Sequence, residues 1–219
     1  MTSAREVEVT CPCCGAAFNA PELMSTNTFG GRTTDLHARA VGFDPIVFMV
    51  GTCPQCGYTD YSHNLIKGDI ILTDDLKRRV FDELTPHLPV EQRINPALCY
   101  EFLAKIAQWR GTDPLKIGDL YLRAAWCCQD YGQQQGEHSN RLAAIAYYKR
   151  WLDHTPLRDE EYFVITYLVG ELYRRVGNAD SAREWFDRVL DGVGAEAGEK
   201  LQRIAELARQ QRDDPKEML

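Results

Sequence analysis

The chain has 219 residues, 44% of them hydrophobic and 26% charged, with 25 Lys and Arg against 32 Asp and Glu for a net charge of −7. Such a length excludes a large multidomain enzyme and such a composition excludes wholesale disorder, which leaves one domain with an appendage or two small ones. The acidic balance repels a phosphate backbone, so nucleic acid is a disfavoured partner from the outset.

The N-terminal residues, Met1 to Glu6, lack the basic region and apolar stretch of a signal peptide, and no run of about 18 apolar residues follows, so the expectation is a cytoplasmic chain without a membrane partner. A β-like run, Val7-Glu8-Val9-Thr10, leads into Cys11-Pro12-Cys13-Cys14-Gly15. A second apolar run, Ile46 to Val50, is expected to be a strand and leads into Cys53-Pro54-Gln55-Cys56-Gly57. The two clusters share the grammar C-P-x-C-G. Two thiolates three positions apart on a tight turn can both point at one ion, and two such turns complete a tetrahedral set of four. The glycine after the second cysteine permits φ > 0, and the proline fixes φ at the start of the turn. A redox pair of the thioredoxin kind needs one C-x-x-C opening a helix, and a disulfide contradicts a reducing compartment, so one structural zinc ion is the expected cofactor. Its ligands are expected to be Cys11, Cys14, Cys53 and Cys56, with Cys13 in the variable position and His37 and His63 as surface residues.

Residues 15–52 separate the knuckles, more than the usual zinc spacing, so an insertion must fold there. Its middle, Phe29 to His37, is polar and glycine-containing and reads as a connecting loop, while Gly42-Phe43-Asp44-Pro45 turns the chain back. The acid and imidazole neighbours near the knuckles, Asp35 with His37 and Asp60 with His63, read as solvated loop residues.

From Leu72 onward the signals are helical. Thr73 caps a helix that Thr85-Pro86 ends; Asn95-Pro96 and Asp113-Pro114 each supply an N-cap with proline at the first helical position. Further helices are expected from near Ser139 to Asp153 after a long Gly132–His138 connection, from Asp159 to Val176, from Asn178 to about Leu190, and from Ala195 to about Gln211, followed by a frayed charged tail. Ile117, Leu120, Ala124 and Cys128 form one apolar stripe, which makes Cys128 a core thiol, and Cys99 and Cys127 read the same way. Gly170, Tyr173, Gly177, Ala182 and Phe186 stand at the offsets of a tetratricopeptide helix pair, with a looser copy before it.

On the two knuckles, on Thr34-Asp35-Leu36 and Gly42-Phe43-Asp44-Pro45 between them, on the run into Gly51-Thr52-Cys53 and on Leu120 to Trp126, the chain resembles a bacterial family catalogued as a domain of unknown function. In that family a split zinc ribbon precedes tetratricopeptide-like helices. The resemblance implies a mainly α fold with a small β zinc-ribbon head over 1–70 and an α-α repeat body over 71–219, and it implies no activity.

Three functional classes follow. No H-E-x-x-H, G-x-S-x-G or phosphate-binding glycine loop marks an enzyme, and four thiolates leave a zinc ion no open position. A nucleic-acid-binding regulatory ribbon is disfavoured because residues 1–70 carry four basic against seven acidic side chains. The expected function is therefore a zinc-stabilised adaptor that binds a protein or peptide in a short helical-repeat groove, with self-association open. Aligned on the repeat pattern, Tyr167, Glu171, Arg174 and Arg175 face that groove, and Tyr167 and Arg174 suit a binding hot spot.

Overall fold

The computed structural model of the protein describes residues 2–90, 94–156, 159–194 and 196–219. Two antiparallel hairpins open the chain: β1 (Ser3–Thr10) pairs with β2 (Ala17–Ser25), and β3 (Val50–Thr52) pairs with β4 (Thr59–Tyr61). Thr10 faces Ala17 in the first register and Thr52 faces Thr59 in the second, so the turn of each hairpin is a cysteine knuckle. A short helix α1 (Ser62–Lys67) follows, and then α2 (Asp74–Arg79) runs through a π turn, Val80–Leu84, and a 3-10 turn, Thr85–His87. Five long helices plus a final one complete the chain: α3 (Pro96–Trp109), α4 (Pro114–Asp130), α5 (Gln134–His154), α6 (Glu160–Arg175), α7 (Ala179–Gly192) and α8 (Glu199–Asp213). The fold is mainly α with a small β head.

Local chemistry explains the helix starts. Thr73, Asn95, Asp113, Asp159 and Asn178 each accept a hydrogen bond from a backbone N–H of the first turn, at 2.8–3.2 Å. From α3 on, each helix packs on the next in sequence. The expected stripe of Ile117, Leu120, Ala124 and Cys128 is buried, as are Cys99 and Cys127. Where α6 meets α7, a Cβ on Gly170 would stand 2.9 Å from the Phe186 ring, so only glycine permits this approach. One apolar cluster joins the head to the body across residue 70: Val9, Phe18, Tyr58 and Leu65 pack with Leu84, Phe102 and Ile106.

Four local expectations are corrected. Residues 46–49 are not a strand, and β3 starts only at Val50: Pro45–Phe48 is a 3-10 turn, because Asp44 accepts from the Ile46 N–H and Pro45 presets the first helical φ. Helix α5 begins at Gln134, five residues before Ser139, which shortens the expected long connection to one turn. The last helix runs from Glu199 to Asp213, and the expected start, Ala195, lies outside the described residues. The tail beyond it is docked: Thr33 and Met218 form an antiparallel bridge, and the Leu219 N–H donates to the Arg32 carbonyl at 2.9 Å.

Candidate functional site

The knuckles are near-identical in backbone. In each, the glycine N–H donates 2.9 Å to the carbonyl of the first cysteine, Gly15 to Cys11 and Gly57 to Cys53. Cys11 N–H closes its turn on Ala16 O at 2.9 Å, and Cys53 N–H closes the other on Tyr58 O at 2.8 Å. Both glycines are left-handed, with φ of 78° and 81°, as the C-P-x-C-G grammar requires. A Cβ on Gly57 would also press on Leu84 and Phe102, so its absence lets the head seat against α3.

These turns bring Cys11, Cys14, Cys53 and Cys56 together, all four sulfurs within 4.8 Å of one another. Cys11 Sγ lies 3.7 Å from Cys56 Sγ, and Cys14 Sγ lies 3.6 Å from Cys53 Sγ. Bonds of about 2.3 Å from a tetrahedral ion put neighbouring sulfurs about 3.8 Å apart, so the cluster has the dimensions of a four-thiolate metal site. Without a cation the charges conflict. Cys53 is held toward the thiolate, down to about 2, by hydrogen bonds from Cys11 and Cys56. Cys11 is pushed up to about 12, first by its bond to Cys53 and then by burial, and Cys56 rises for the same kind of reason. Cys13 is buried outside the cluster, its thiol pushed up by burial.

Beyond the knuckles lies a second polar centre that the sequence reading took for solvated loop. Thr33-Thr34-Asp35-Leu36-His37 forms a tight turn, with the Leu36 N–H on the Thr33 carbonyl at 2.9 Å and Leu36 itself left-handed at φ 67°. A leucine at positive φ is strained, and the surroundings that hold it are extensive. Asp35 is fully buried and accepts from the Thr33 hydroxyl and from Trp126 Nε1 at 2.9 Å, with Arg175 and Arg141 at 3.7 and 3.9 Å. Burial would raise its pKa, but Arg175, the Thr33 and Trp126 hydrogen bonds and Arg141 together outweigh that and hold the carboxyl below its usual range. His37 stacks on Trp126 at 4.1 Å, and its Nε2 lies 3.0 Å from Asp44 Oδ2, off the line a hydrogen bond needs. Asp60 is buried too, accepting from the Tyr58 hydroxyl and Asn64 at 2.8 Å each, while His63 is exposed.

The four residues read as facing a partner groove are placed against this turn. Tyr167 is fully buried, and its hydroxyl donates 2.8 Å to the Thr34 carbonyl. Glu171, also fully buried, accepts from the Thr34 hydroxyl, from Arg174 at 2.8 and 2.9 Å and from Arg175 at 2.7 Å. Both arginines continue to the tail, Arg174 Nη2 to Glu217 Oε1 at 2.8 Å and Arg175 Nη1 to Glu217 Oε2 at 2.9 Å. The insertion and the C-terminal tail thus fill the face of α6 from within, and there the buried carboxylates of Asp35 and Glu171 meet Arg141, Arg174 and Arg175. A sequence signal existed in retrospect: Thr-Thr-Asp followed by His is a dense run of hydrogen-bonding side chains beside apolar Leu36.

Among the outward side chains are several large apolar ones. Phe29 is 85% exposed, Phe43 74%, Tyr131 58% and Val41 55%. Asn27 fixes Phe29 and Val41 together, accepting from both backbone N–H groups at 3.1 and 2.9 Å, and Phe43 and Tyr131 line one shallow depression with Arg39, Asp44 and Asp130. Arg39 ties the insertion to α4 through Asp130 at 2.6 Å. Among the described residues no helix is long and apolar enough to cross a membrane.

A family described as "Uncharacterized protein conserved in bacteria (DUF2225)" matches residues 5–214. No curated protein and no solved structure matches the chain.

Proposed function

The chain belongs to that family of uncharacterised bacterial proteins, and from that premise we propose that it is an adaptor whose head is fixed by one structural zinc ion and whose outward insertion binds a protein or peptide partner. The observation that carries the reading is the exposure of Phe29, Val41 and Phe43 on an insertion that is otherwise pinned in place, next to exposed Tyr131 at the end of α4. Exposed apolar side chains gathered on a rigid support are the usual mark of a docking surface, and aromatic anchors dominate binding energy. The Tyr167, Glu171, Arg174 and Arg175 face has own-chain partners, so in this reading it braces the surface rather than forming it.

The metal is zinc in this reading because four thiolates at tetrahedral spacing suit it, and a closed four-sulfur set supplies folding energy and no open coordination position. Metal analysis of the purified chain is expected to give about one zinc per chain. Affinity capture from the native cells, repeated with Phe29→Ser and Phe43→Ser combined, tests the surface: the double variant is expected to keep its metal and helix content and to lose the captured proteins. Identical captures from both would refute the surface, and submicromolar binding of an unrelated duplex at physiological salt would put nucleic acid in the partner's place.

A further inference from the structure

A second cleft, sharing no lining residue with the Phe43 and Tyr131 depression, opens where the head meets the body and has a volume of about 680 Å3. Its walls are mostly apolar and come from four separate segments: Leu23 on β2, Phe48 and Met49 after the 3-10 turn, Tyr61 and Ile66 around α1, and Arg123 on α4. Pockets of this size, apolar with few polar groups and set between structural units, are the common form of small-ligand sites.

The charges at the cleft are unequal in their compensation. At the rim, Glu22 is bridged by Arg5 and Lys67 by Asp69, and His63 stacks on Tyr61 with centroids 5.7 Å apart. Arg123 differs. Its Nη1 is buried with no hydrogen-bond partner, and among the described residues no carboxylate forms an ion pair with it. The Tyr100 hydroxyl lies within hydrogen-bonding reach of the rest of the guanidinium, and the Tyr61 phenol and the Asp119 carboxylate feel its charge. Asp119, however, is pushed upward by burial and accepts at Oδ1 from the Tyr148 hydroxyl at 2.8 Å. A guanidinium donor left unpaired in an apolar wall is costly unless an acceptor arrives from outside. Arginine presents a planar fork that matches a carboxylate, and the apolar walls suit an alkyl or aryl body.

We propose that this cleft binds a small amphipathic carboxylate, its anionic head on Arg123 and its apolar body along Leu23, Phe48, Met49 and Ile66. Such a ligand touches strands of the head and a helix of the body at once, so it stabilises the junction between them by mass action.

The test uses the full, metal-loaded chain with octanoate as the probe and octanol as its neutral counterpart, followed by calorimetric titration and thermal unfolding. Octanoate is expected to bind and to raise the midpoint in a concentration-dependent way, with octanol roughly tenfold or more weaker, as expected for loss of a hydrogen bond to a charged group. Arg123→Gln is expected to reduce octanoate to the level of octanol. Because that variant can disturb α4, Ile66→Trp, which fills the cleft from α1 and leaves the arginine in place, provides the second arm and is expected to abolish binding. Lys67→Ala, at the rim and already paired with Asp69, is expected to change octanoate affinity less than twofold. Absence of octanoate binding at millimolar concentration, equal binding of octanoate and octanol, or unchanged octanoate affinity in folded Arg123→Gln and Ile66→Trp would each overturn the assignment.

Discussion

Cys11, Cys14, Cys53 and Cys56 reach one point from two copies of the same five-residue turn, whereas the turn that carries Asp35 reaches Glu171 across 137 residues of chain. Both centres are polar and both sit in the interior, yet they differ in what keeps them there. The thiol cluster holds four sulfurs at the spacing of a metal site, with Cys53 drawn toward thiolate while Cys11 and Cys56 are pushed up. The carboxylate centre is balanced internally, with Arg141, Arg174 and Arg175 around Asp35 and Glu171. One centre depends on a ligand from solution, the other on the completed fold.

The largest expected effect tests the first half of that contrast. Cys56→Ser should lose metal and unfold the head, since a structural four-thiolate site contributes on the order of 10 kcal/mol, while Cys13→Ser should keep both. Metal content with far-ultraviolet circular dichroism separates them, and equal loss in the two variants would overturn the ligand set. Next, Glu171→Ala removes the buried carboxylate that Arg174 and Arg175 share, leaving them Glu217 and Asp35, and should cost about 3 kcal/mol in urea unfolding without changing metal content. If it released the metal as well, the two centres would be one cooperative unit. Gly170→Ala should cost about 1–3 kcal/mol, because the added methyl meets the Phe186 ring at 2.9 Å and outweighs the helix propensity gained.

Acid should separate the centres by pH. Metal release begins as protons compete for the thiolates. Asp35 has a carboxyl held below its ordinary value, so its contribution is fully present above the unfolded carboxylate pKa near 3.9 and is lost only as pH falls below it. Tail protection in hydrogen exchange should therefore outlast the metal on titration downward; loss of both at one pH would deny the distinction. The smallest effect belongs to neither centre: Glu184→Ala removes a largely exposed i,i+4 pair with Arg188 and should move stability by less than about 0.5 kcal/mol.

The same contrast explains what could be read from the chain. A thiol knuckle announces itself within five residues, and caps such as Asn95-Pro96 and Asp113-Pro114 act on the next turn, so both are local statements that a sequence makes directly. Thr34, Asp35 and His37 resemble ordinary loop residues until Trp126, Arg141, Tyr167, Glu171, Arg175 and Glu217 are placed around them, and no spacing rule links those positions. For the same reason the tail was expected to fray: its partners lie in the insertion and on α6, far from its own neighbours in sequence. The apolar run at 46–50 misled in the other direction, since hydrophobicity reported burial of Ile46 and Val50 correctly but Asp44-Pro45 decided the backbone.

The bridge from Thr34 to Glu217 also orders events on the ribosome. Both knuckles have been made once residue 56 is polymerised, but the insertion between them meets Trp126 and Asp130 only when α4 emerges, and its partners on α6 and at residues 216–219 later still. At ordinary elongation rates that interval is on the order of ten seconds. Until then Thr34 and Asp35 lack part of their buried surroundings, which makes the nascent insertion a natural client for chaperones that hold unpacked segments, and makes the arrival of α6 and residues 216–219 the step that closes it.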